Sequence, residues 1–191
     1  MDNTTTMILV AVAVLIILGL LAMAFTRFQR SRRLRERFGP EYERIVGETG
    51  DRRKAESELE ARLAHVENLN IRPLSAEEAN RFSLEWQATQ TEFVDAPLAS
   101  VQKADHLIRE VMRAKGYPVD DFEQRAADIS VDYPDLVTDY RGLHLIAKKE
   151  QDEHVSTEEM RQAMVHGRAL FENLVTKDTS ETEMNQKERI Q

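Results

Sequence analysis

DAPLASVQKADHLIREVMRAKGYP, residues 95 to 118, decides the fold class. Leu98, Val101, Leu107, Ile108, Val111 and Met112 recur at helical spacing and define one inner side. Asp95 stands where a helix cap belongs, and Pro97 suits a first helical turn. Gly116 ends the run and Pro118 confirms the stop. A helix with one apolar stripe must bury that stripe against other elements, so its neighbours in sequence should supply the partners.

Those neighbours read the same way. Toward the C-terminus, Asp120 with Glu123 opens a short helix over Phe122 to Ile129, and Tyr133-Pro134 interrupts the chain. Another helix follows from Asp135, with Leu136, Val137, Tyr140, Leu143 and Ala147 facing inward. Ser156 with Glu159 is a capping-box pair, and the helix behind it presents Met160, Ala163, Met164, Gly167, Leu170, Phe171 and Leu174. After about Thr176 the residues KDTSETEMNQKERIQ are almost devoid of apolar side chains and read as a disordered tail.

Toward the N-terminus, Ser75 with Glu78 is a second capping box, ahead of Phe82, Trp86 and Phe93 on one helical face. At that spacing the three aromatics read as core rather than as an exposed interface. Ile71-Arg72-Pro73-Leu74 is a linker. Before it, Asp51 is placed to cap a helix reaching about Leu69, with Ala55, Leu59, Leu63, Val66 and Leu69 as its stripe. A short helix over Glu41 to Val46 precedes Gly47 and Gly50. Gly39-Pro40 breaks the chain ahead of it, with Pro40 suited to a first helical turn. No stretch alternates at period two, so no sheet is expected.

The first forty residues differ in kind. MILVAVAVLIILGLLAMAF, residues 7 to 25, holds no charge and no Pro. As a helix it would span roughly 28 Å, close to the hydrocarbon core of a bilayer. Behind it come Arg27, Arg30, Arg32, Arg33, Arg35 and Arg37, while MDNTTT ahead of it carries no Lys or Arg. Positive charge stays on the cytoplasmic side, which predicts an N-terminus facing out, a domain facing in, and arginines at the membrane surface. Ala22-Met23-Ala24 also matches a signal-peptidase pattern, but the missing basic n-region and the six arginines favour an uncleaved anchor.

The organisation expected is therefore all-α: one N-terminal transmembrane helix and then a soluble bundle of about six helices. In residues, this is a short extracytoplasmic segment 1–6, a span 7–25, a basic juxtamembrane segment 26–38, a cytoplasmic helical domain 39–176 and a tail 177–191. Residues 1 to 40 carry a net charge of +4, and the remainder carries −12. An acidic domain repels phosphate backbones, so nucleic acid is not an expected partner.

Chemistry-bearing signatures are sparse. There is no Cys, which removes thiolate catalysis, disulfides and Cys-ligated metals. The residues three before the five His are Arg62, Lys103, Arg141, Gln151 and Ala163, so the Glu-x-x-His signature of di-iron bundles is lacking, as is HExxH. No Gly-rich phosphate loop occurs. No catalytic residue, metal ligand or cofactor is expected. The densest polar constellation is Val119 to Arg141, where helix caps account for several acids. Asp121, Arg125, Asp128, Asp139 and Arg141 are the candidates there for a partner-binding surface.

RLRERFGPEYERIVGETGDRRKAESEL, and GYPVDDFEQRAADISVDYPDLVTDYR with STEEMRQAMVHGRALFENL, resemble an uncharacterised family of bacterial proteins, each with a short N-terminal anchor and a helical domain. The likeness covers roughly Arg33 to Leu174. It implies fold and location, and carries over no catalytic residue. The function expected is that of a membrane-tethered interaction or scaffold protein at the inner face of the cell membrane, touching the lipid bilayer and another protein. The alternative is a metal-binding or enzymatic bundle using the Asp-rich segment 120–139.

Overall fold

The computed structural model describes residues 3–149 and 154–188, with side chains except at 3–11, 13, 14 and 177–188. Among the described residues there are eight helices and no strand. They are α1 (Asn3–Phe38), α2 (Pro40–Thr49), α3 (Arg52–Glu67), α4 (Ala76–Glu92), α5 (Pro97–Lys115), α6 (Phe122–Asp132), α7 (Val137–Ala147) and α8 (Thr157–Glu188). The chain forms two compact units, Met1–Glu60 and Ala61–Gln191, divided within α3.

In the first unit α1 runs for 36 residues without a break. The apolar stretch and the basic stretch are thus one continuous helix. It stops at Gly39, whose φ of 48° and ψ of −126° no ordinary side chain favours, and Pro40 then starts α2 in its first turn. α2 outlasts the expected Val46 and closes at Gly50, which is left-handed at φ 62°. Gly47 has open space around it and is carried within the helix. Asp51 caps α3, with its Oδ1 2.8 Å from the Arg53 amide. Leu34, Phe38, Tyr42, Ile45, Ala55 and Leu59 are buried.

In the second unit α5, α7 and α8 pack on one another, α4 lies against α5 and α8, and α6 lies against α7. The stripe of α5 is the centre: Val101, Ala104, Ile108, Val111 and Met112 are fully buried. Trp86 of α4 stacks on Phe171 of α8 with ring centroids 4.5 Å apart. α5 ends at Gly116 with φ 98°, and a Cβ there would stand 2.6 Å from the Asn70 carbonyl oxygen. The linker passes that close because the Arg72 amide donates to the Lys115 carbonyl at 2.9 Å. Both capping boxes form, at Ser75–Glu78 and Ser156–Glu159.

Several boundaries differ from the sequence expectation, each for a local reason. The residue that caps α5 is Ala96, not Asp95, and no side chain caps it. Pro97 has already removed one of the amides a cap would serve. Asp121, not Asp120, caps α6, accepting the Gln124 amide at 2.8 Å. α6 continues past Ile129 to Asp132. α7 starts after Leu136, so Asp135 caps nothing. α2 packs with the basic half of α1, inside the first unit. The helix of α8 reaches Glu188. The expected disordered tail concerns residues 177–191, whose side chains, and at 189–191 whose backbone too, lie outside the described residues.

Candidate functional site

The Asp-rich segment folds into α6 and the start of α7, and its charged side chains take several roles. Arg125 and Asp128 are 3% and 0% exposed, so neither lies on a surface. Arg125 donates from Nε to the Tyr140 hydroxyl at 3.1 Å and from Nη1 to the Val119 carbonyl. The other end of its job is to tie the α6 start to α7 inside the unit. Asp128 accepts from Gln124 Nε2 at 2.7 Å and lies 3.6 Å from His65 Nε2 of α3. Its second oxygen is buried with no hydrogen-bond partner, and burial pushes the carboxyl above the usual carboxylate range.

The other three candidates are nearer to solvent. Asp121 is spent on capping α6. Asp139 pairs with His166 of α8. Arg141 donates to Glu123 at 2.9 Å, joining α7 to α6. The five thus cap α6, set it against α3 and α7, and join α7 to α8, and with Arg125 and Asp128 buried they are not gathered on one exposed face. Among the described residues no group of three or more His, Asp or Glu side chains is placed to hold a metal ion.

A second polar network joins α5 to α7. Asp105 of α5 is 6% exposed. It lies 3.0 Å from Nδ1 of His144 on α7. The Phe122 ring stacks on the imidazole with centroids 3.7 Å apart and an interplanar angle of 9°. Burial, then the nearby Asp105 charge, raises the Tyr140 phenol above its ordinary value. Asp105 was detectable, because it falls four residues after Val101 and three before Ile108, within the apolar stripe. A carboxylate orienting an imidazole is one part of a hydrolytic centre, but none of the hydroxyl hydrogen bonds of the described residues reaches His144. The arrangement holds α5, α6 and α7 in register.

In the first unit all six arginines of α1 are exposed. Arg32 pairs with Glu36 at 2.8 Å, Arg35 with Glu43 at 3.1 Å, and Arg30 with Glu60. Below them a compact ring forms. Ser31 Oγ donates to Glu56 Oε1 at 2.6 Å, the Tyr42 hydroxyl donates to the same oxygen at 3.0 Å, and Arg52 Nε lies 3.1 Å from it. Burial alone would raise the Glu56 carboxyl, but these donors hold it below the usual carboxylate range. The ring joins α1, α2 and α3.

Among the described residues, the large apolar side chains of α1 from Leu15 to Phe25 are exposed. Leu15, Ile16, Ile17 and Leu18 are consecutive, cover a full helical turn, and are 55 to 67% exposed. Among the described residues no helix is long and apolar enough to cross a membrane. Within the expected span Met7–Phe25, the side chains at 7–11, 13 and 14 lie outside the described ones. No protein-family model, curated protein or solved structure matches the chain.

Proposed function

We propose that this chain is a membrane-tethered helical interaction protein, held by the apolar half of α1 and working at the inner face of the cell membrane. One observation carries the reading. Four consecutive large apolar residues, Leu15 to Leu18, are exposed on every side of α1, and six exposed arginines follow them on the same helix. A helix apolar all round needs an apolar surrounding. Arginines just beyond it suit the anionic cytoplasmic leaflet. The second unit, from the end of α3 through α8, is then the part that meets a partner protein. The alternative of a metal-binding or enzymatic bundle draws less support, because its Asp-rich segment is taken up by caps and by bonds between helices.

The test has two parts. A reporter active only in the cytoplasm, fused after Gln191, is expected to be active, and activity of a periplasmic reporter at that position would refute the orientation. Crosslinking in intact membranes is expected to trap a protein partner through the second unit. Recovery of the full chain in the soluble fraction after lysis would refute the anchor itself.

A further inference from the structure

We propose that a cleft of about 370 Å³ between the basic part of α1 and the start of α3 binds a phosphate group. Its volume lies within the range of roughly 300 to 1,000 Å³ usual for small-molecule sites. Arg27, Arg30, Arg52 and Arg53 line it, with Ser31, Glu56 and Phe28. The charges there are not balanced. The one lining carboxylate, Glu56, is directed into the ring of Ser31, Tyr42 and Arg52. Arg30 is paired with Glu60. Among the described residues the guanidiniums of Arg27 and Arg53 meet no carboxylate. Two exposed guanidiniums are thus left facing one cleft from two helices.

Guanidinium groups present planar forks of N–H donors that match the oxygens of a phosphate, two at a time. Closing a phosphate between Arg27 and Arg53 would neutralise both without disturbing the Glu56 ring. The α3 amides are already served by Asp51, so the side chains carry the recognition. Phe28, 67% exposed, gives the rim an apolar edge continuous with Phe25. An apolar edge beside a phosphate cleft suits a lipid headgroup, while the guanidinium pair alone suits free phosphate. The lipid source rests on the anchored reading above; the cleft does not.

The experiment is calorimetric titration of the full chain in neutral detergent micelles, with inorganic phosphate and with a water-soluble short-chain phosphatidic acid as separate probes. Saturable binding of at least one probe is expected. The double variant Arg27→Gln with Arg53→Gln is expected to weaken it by about tenfold or more, as loss of a bidentate ionic contact does, with thermal unfolding unchanged. Arg32→Gln with Arg33→Gln removes the same charge from the same unit outside the cleft and is expected to weaken binding by less than about threefold. Equal binding of both probes assigns free phosphate as the ligand, and a clear preference for phosphatidic acid assigns a headgroup. No saturable binding of either probe, or equal losses in the two double variants, would overturn the proposal. Because the titration is done in micelles, it stands or falls independently of the reporter result.

Discussion

Replacing Trp86 by alanine is expected to destabilise the second unit by about 3 to 5 kcal/mol. The indole is 4% exposed and stacked on Phe171. A buried tryptophan hides roughly 200 Å², worth about 5 kcal/mol at about 25 cal/mol per Å². The ring pair adds about 1 kcal/mol. Against these, the indole Nε1 is buried without a hydrogen-bond partner, a cost of about 1 to 3 kcal/mol that alanine escapes. Trp86→Phe keeps a ring on Phe171 and carries no orphaned donor, so it should cost no more than about 2 kcal/mol. The assay is urea unfolding followed by helical ellipticity, since the substitution removes the only Trp of the chain and with it the fluorescence signal. A loss below about 1 kcal/mol for the alanine variant, or equal losses for alanine and phenylalanine, would refute the packing argument.

Gly116→Ala should destabilise by at least about 1 to 2 kcal/mol in thermal melting, from the left-handed backbone and the 2.6 Å approach of the Asn70 carbonyl; an unchanged melting temperature would remove the strain argument. Asp128→Asn should stabilise the chain near neutral pH. The raised Asp128 carboxyl binds its proton more tightly when folded, so wild-type stability from this group is full below the unfolded carboxylate range and is lost as pH rises through the folded value. Melting the pair at both ends of that window checks it, and a gain that fails to grow with pH would contradict it. Glu56 has the opposite sign: its lowered carboxyl contributes stability above the usual carboxylate range, lost on acidification. Glu56→Gln should therefore flatten the acid limb of the melting profile, and an unchanged limb would count against the ring. Changing Arg30, Arg32, Arg33 and Arg35 to Glu should weaken or invert the orientation reported by a fusion after Gln191, and unchanged topology would show that these charges do not set it.

The parts of this fold readable from sequence are those whose signals are local. The α5 stripe, the two capping boxes and the stops at Gly39 and Gly116 are set by short-range signals, and each forms, whereas the end expected at Val46 moves on to Gly50 because Gly47 is carried within α2. Cap positions slipped by one residue at Asp120 and Asp95, where two acceptable residues stand side by side or a proline removes the need. The reading of Arg125 and Asp128 as surface groups rested on their charge. α6 defeats that rule because six of its 11 residues are buried, polar ones among them. The Ser31–Tyr42–Glu56 ring was not legible at all, since its members lie 11 to 25 residues apart and meet only when three helices have packed.

The unbroken run of α1 has a mechanical consequence. At about 1.5 Å per residue its 36 residues make a shaft of roughly 54 Å. The first joint is Gly39, beyond the hydroxyl of Ser31. No break in the helix lies between the apolar end and Ser31, so a twist applied at the apolar end is passed along the helix toward it. A slip of one residue turns the shaft by about 100°, which would swing the hydroxyl away from Tyr42 and Glu56. The ring acts as a detent: it fixes the shaft at one angular setting, and a torque at the apolar end must break three hydrogen-bonded contacts of Ser31, to Tyr42, Glu56 and Arg52, before the setting can change.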